Sequence, residues 1–281
     1  MKKVLAIKEG TALNIMPGIQ GKRAFPIHEF GIQDPFIMLD HIGPKDVGTS
    51  YKVGGKEGAH PHRGFETLTF MFEGAMNHID SLGNNEMLRS GDIQRMHAGS
   101  GIIHGGAMMA DPETGVFNEI QLWVNVDSND KMTQPEIQNV SHDQLPVKEE
   151  NNVRYKAFAG DWGFGKSPIN THAKIGALEL HATNDAKAKL SGFSLNETSL
   201  VYVLQGGVII DDSLIKAGNI AALDSFEEKL ELQLSKGAQV LVLKGKPINQ
   251  PVALGGPFVM NTEEEIQQAY ADFKAGAFGK I

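Results

Sequence analysis

The 281 residues suffice for two domains of ordinary size or one large one, and 32 glycines with 41% hydrophobic residues favour a turn-rich, all-β chain. A net charge of −8 argues against a direct nucleic-acid or acidic-membrane surface, and the absence of cysteine excludes disulfide frameworks, zinc ribbons and thiol nucleophiles. The start, MKKVLAIKEGTALN, has no apolar run of signal-peptide length and no later stretch approaches eighteen apolar residues, so a soluble, cytoplasmic protein without a membrane partner is expected.

The first informative element is the run GAHPHRGFET, which carries His60 and His62. Residues two apart on a strand face the same way, about 6.5–7 Å apart, and neutral imidazoles at that spacing can close on one ion at roughly 2.0–2.2 Å per bond. Glu66 shares their parity, so HxHxxxE reads as one inward-facing row. His78, on the strand after the Gly74 turn, reads as structural. A long hairpin later, His104 in GSGIIHGG returns to the same cavity if both segments line one barrel. No lysine follows that glycine-rich stretch at Walker spacing, so it is no phosphate loop. Met71, Met87, Met96, Met108 and Met109 read as fillers of gaps in the core of this first half. Asp127 to Asn152, polar and with two prolines, is the linker candidate.

The second half repeats the first. Leu68-Thr-Phe-Met-Phe-Glu-Gly74 answers Leu200-Val-Tyr-Val-Leu-Gln-Gly206 at an offset of 132, and Asp80-Ser81-Leu82 answers Asp212-Ser213-Leu214 at the same offset. Ser90-Gly91-Asp92-Ile93 then answers Ala217-Gly218-Asn219-Ile220 at 127, so the second hairpin is shorter. Glycine-punctuated short strands of this kind specify jelly-roll barrels, and the spacing implies two in tandem, residues 1–135 and 136–281. At the 132 offset His60, His62 and Glu66 correspond to Gly192, Ser194 and Thr198. The first barrel therefore holds any metal, and the second is scaffold, interface or a separate cavity. A helix closes the chain over Asn261–Lys274, capped by Asn261 or Thr262, with Ile266, Tyr270 and Phe273 on its packing stripe.

HPHRGFETLTFMFEGAMNHIDSLGN, then SGDIQRMHAGSGIIHGG and EIQLWVN, strongly resemble the pirin family of the cupin superfamily, as do DPFIMLDHIGP and KPINQPVALGGPFVMNTEEEIQQAYADF. The resemblance covers almost the whole chain and implies an all-β bicupin. It also implies one metal in the N-terminal barrel, Fe(II) before nickel, manganese, copper or zinc, held by His60, His62 and His104. The family's fourth ligand is a glutamate two residues after the third histidine, where this chain has Gly106. Glu66, Glu119, His97 or water are the candidate replacements. The activity implied is that of a quercetinase-type dioxygenase acting with O2 on a flavonol or other enol-bearing small molecule. The alternative is a non-catalytic, redox-responsive protein that regulates a transcription factor or a metabolic enzyme.

Overall fold

The computed structural model describes residues 1–16 and 19–281, and it is built of antiparallel strands with one α-helix, Glu263–Lys274, among the described residues. The strands form as their patterning dictates. In Leu230–Leu234, for example, the three leucines are buried and Glu231 and Gln233 are not, the period of two expected when a sheet covers a core on one face.

Two compact units emerge. One contains Leu13–Gly21, Leu39–His142 and Ile248–Ile281. Its larger sheet runs, in order, through Glu136–Val140, Ile93–His97, Phe65–Glu73, Val116–Asn125 and Phe36–Asp46. A second sheet is ordered Lys52–His62, Ile102–Met109, Ala75–Asp80, Asn85–Arg89. Met71 and Phe117 of the first sheet pack with Leu88, Met76 and Met108 of the second, which closes the sandwich into a barrel.

The other unit contains Met1–Ala12, Lys22–Met38 and Asp143–Pro247. Asn219–Leu223, Thr198–Gln205, Gln239–Gly245 and Ile175–Ala182 take the same ranks in its larger sheet as Ile93–His97, Phe65–Glu73, Val116–Asn125 and Phe36–Asp46 take in the first. Its smaller sheet is ordered Ala186–Leu190, Leu230–Leu234, Gly207–Ile210, Ser213–Lys216, again in matching ranks. The internal repeat is thus a repeat of topology. The strands equivalent to the histidine strands carry Leu190 and Leu230 as register partners, both buried in an apolar core with Val203, Ile210 and Val242.

These units are not the contiguous halves 1–135 and 136–281. Val4–Glu9 pairs on Asn219–Leu223 and so belongs with the second barrel, while the C-terminal helix packs Ile266 and Ala269 with Phe258 and Met260 in the first. The expected linker is also largely structured. Glu136–Val140 extends the first barrel's sheet, with Gln94 donating to Asn139 at 2.8 Å, and Val147–Glu150 pairs on Val153–Ala159. Edge strands with polar outer faces carry little periodic apolar signal, so composition alone reads them as loop. No helix among the described residues is long and apolar enough to cross a membrane.

Candidate metal centre

Strands Lys52–His62 and Ile102–Met109 are hydrogen-bonded neighbours, with His104 directly opposite His60 in register. That pairing brings three imidazoles into one cluster. The ring centroids of His60, His62 and His104 stand 4.8, 4.5 and 5.0 Å apart pairwise, and one nitrogen from each lies within 4.8 Å of the others. His62 is buried, His104 is 9% exposed and His60 opens to solvent, so the cluster sits at the mouth of the barrel.

The second nitrogens show which atoms remain available. His60 Nδ1 bonds the Gly58 carbonyl at 3.0 Å and His62 Nδ1 bonds the Pro257 carbonyl at 2.9 Å. A carbonyl only accepts, so both rings carry their proton on Nδ1 and present a bare Nε2. His104 Nε2 is buried and meets no hydrogen-bond partner among the described residues. Burial, with His60 nearby, pushes the His62 imidazole down to about 3, and burial with the neighbouring histidines pushes His104 well below its ordinary value. Both are neutral at physiological pH and have lone pairs to give. Three converging imidazoles, two of them oriented by carbonyls and one with a buried, unpartnered nitrogen, are a donor set that fits a divalent transition metal.

The wall opposite is aromatic. Trp123 meets His62 edge-on at 5.2 Å and Phe65 at 4.3 Å, while Phe65 meets His62 at 5.1 Å. Phe65 rather than Glu66 faces the histidines, because the chain turns at Gly64, φ +85°, between the two strands. The HxHxxxE parity is reset there. Glu66 instead lies on the other face of its strand, fully buried, where its carboxylate accepts from Arg95 Nε at 2.7 Å. Its partner is Arg95; Arg63 pairs with Asp272 at 2.8 Å and lies over the Phe278 ring. His97 pairs with Glu66 in register and bonds Thr133 Oγ1 through Nε2 at 2.8 Å, so it too belongs to that face.

Glu119 shares the face of Gln121 and Trp123 but stands outside the ligand cluster. Its side chain is 1% exposed, its Oε2 has no partner among the described residues, and burial raises the carboxyl to about 8. It is therefore neutral at pH 7. Among the described residues no carboxylate joins the three histidines within ligand reach.

Position 106 explains why. Gly106 has φ +158°, and a Cβ built on it would lie 1.6 Å from the Asn77 carbonyl oxygen. The backbone of the neighbouring strand occupies the space a glutamate would need. Directly opposite Gly106 in register stands His78, fully buried, its ring 5.5 Å from that of His104. The sequence reads His78 as structural; its partner two residues on is Asp80, at 2.9 Å, and the cross-strand register sets it beside the candidate ligand His104.

The family model described as Pirin matches residues 18–124, and that described as Pirin C-terminal cupin domain matches residues 177–279. A pirin-like protein of Solanum lycopersicum is 34% identical over 285 residues, covering 99% of this chain and 92% of its own. A pirin-like protein of Caulobacter vibrioides is 33% identical over 285 residues, covering 99% of both chains. Among solved structures, a quercetin 2,3-dioxygenase from Acinetobacter baumannii superposes with a TM-score of 0.91 at 32% identity, covering 100% of this chain and 99% of that one.

Proposed function

Because the chain belongs to the pirin family of bicupins, we infer that His60, His62 and His104 hold one divalent metal and that the protein is a quercetinase-type dioxygenase. The observation that carries the reading is the donor geometry: three nitrogens within 4.8 Å, with the Nδ1 atoms of His60 and His62 tied to carbonyls. Similarity along the whole chain to a solved quercetin 2,3-dioxygenase supports the reaction class. The family resemblance puts Fe(II) first, and nickel, manganese, copper and zinc are accepted by the same donors. When bound, the ion supplies a Lewis-acid centre at which an enol oxygen and O2 are brought together.

The chain's own residues do the rest. The carbonyls of Gly58 and Pro257 fix the orientation of two ligands, an arrangement whose loss typically costs ten- to a hundredfold in metal affinity. Trp123, backed by the buried Phe65 ring, forms an apolar wall beside His62, suited to packing against an aromatic substrate and to excluding water. Solvent-open His60 marks the side of entry.

An oxygen electrode tests this. Quercetin or a simpler flavonol should disappear mole for mole with O2, and His104→Ala should abolish both. Flavonol loss that is unchanged in His104→Ala would contradict the assignment.

A further inference from the structure

We propose that His78, oriented by Asp80, is the hydrogen-bond acceptor that serves the open side of the histidine cluster in place of a side chain at position 106, and that it selects ligands carrying a hydroxyl. The proposal rests on the metal-site reading above and adds a specificity-determining residue to it. Antiparallel partners share a face of the sheet, so His78 projects from the wall where residue 106 has no side chain. Asp80, one step along the same strand face and opposite His104 in register, accepts from His78 Nε2 at 2.9 Å.

The tautomer follows. Asp80 also accepts from the backbone N–H groups of Leu82 and Asn84 and from Asn84 Nδ2, at 2.9, 3.1 and 2.8 Å. A carboxylate surrounded by donors accepts only, so the His78 proton it takes is the one on Nε2, and Nδ1 is the ring position left for a further partner. That Nδ1 is buried and meets no partner among the described residues. A buried imidazole nitrogen left without a donor is costly, and here it sits beside the ring of a candidate metal ligand. His78 is not itself in the ligand cluster: its ring meets that of His104 at 5.5 Å, whereas the three candidate ligands stand 4.5–5.0 Å apart. A nitrogen so placed suits a donor on a bound molecule. A hydroxyl next to the enol oxygen of a flavonol-like ligand has that chemistry.

The test is a two-by-two cycle on metal-loaded protein: wild type and His78→Phe, each titrated with 3-hydroxyflavone and with flavone, which lacks the hydroxyl, with metal content determined on both. His78→Phe is expected to keep one metal per chain. Its preference for 3-hydroxyflavone over flavone should fall at least about tenfold, equivalent to about 1.4 kcal/mol. His78→Gln, whose amide oxygen accepts, should restore part of the preference and guards against a merely misfolded phenylalanine variant. An unchanged preference with metal retained overturns the proposal and leaves the metal site standing. Metal loss in His78→Phe alone overturns it too, by making His78 a ligand. A wild-type protein that binds no metal removes the metal-site reading and this proposal together.

Discussion

Between His62 and Phe65 the backbone turns through Gly64 at φ +85°, where a Cβ would come within 2.1 Å of the Val259 carbonyl oxygen, and this turn decides which side chains face the histidines. Strict alternation along the sequence puts Glu66 in their row; one turn residue gives the place to Phe65 and leaves Glu66 to Arg95. The pairing of His60 with His62 was legible because spacing by two survives within one strand, His104 entered through the hairpin and the family resemblance, and Glu66 lay beyond a break that parity does not register. Position 106 is a matching case from the other side. Gly106→Glu would restore the family's carboxylate on paper, yet its Cβ falls 1.6 Å from the Asn77 oxygen. This variant is expected to lose at least about 2 kcal/mol of stability in denaturant unfolding with no gain in metal affinity. Tighter metal binding at unchanged stability would contradict the geometry.

Glu119 gives a pH signature. The unfolded chain sheds this proton near the ordinary value of 4.5, while the folded chain keeps it to about 8. Folding takes up a proton across that window, so this group's contribution makes stability fall as pH rises from 4.5 to 8. Glu119→Gln keeps the shape and removes the ionisation. Its advantage over wild type in urea unfolding should grow between pH 5 and pH 8, to a few kcal/mol, and parallel profiles would refute the assignment.

At the scale of elements, the glycine-ended strands were readable because the same turn chemistry recurs in both copies: Gly74 has φ +90° and Gly206 has φ +72°. The edge strand Glu136–Val140 was not, since a backbone ladder, the Gln94–Asn139 pair and the Arg95–Glu136 ion pair hold it, and Ile137 and Val140 alone are too few apolar contacts to leave a period. The helix shows the opposite balance. It begins one residue after Thr262, whose hydroxyl accepts from the Glu265 N–H while the Glu265 carboxylate accepts from the N–H groups of Asn261 and Thr262. Thr262→Ala should cost about 1 kcal/mol, seen as a lower Tm, with metal content unchanged. A loss of metal would mean that the helix governs the site more directly than these contacts imply.

The whole molecule spends its two copies of one topology differently. The second barrel fills its interior with Leu190, Leu230, Leu232 and their neighbours, while the first puts histidines at the corresponding strands and accepts the burial of unpaired nitrogens. Tandem organisation could be read from the repeat, but the assignment of the chain ends could not, because pairing of Val4–Glu9 with Asn219–Leu223 joins residues more than two hundred apart. The same holds for the Pro257 carbonyl that orients His62 from the C-terminal segment. Such contacts are set by closure of the fold and leave no local signal.

Elemental analysis of anaerobically purified protein, with His60→Ala alongside, tests the central claim most directly. The geometry predicts about one transition-metal ion per chain in the wild type, iron being the one the family resemblance puts first, and its loss in the variant. Wild-type protein without stoichiometric metal, or a variant that retains it, would contradict a metal centre at His60, His62 and His104.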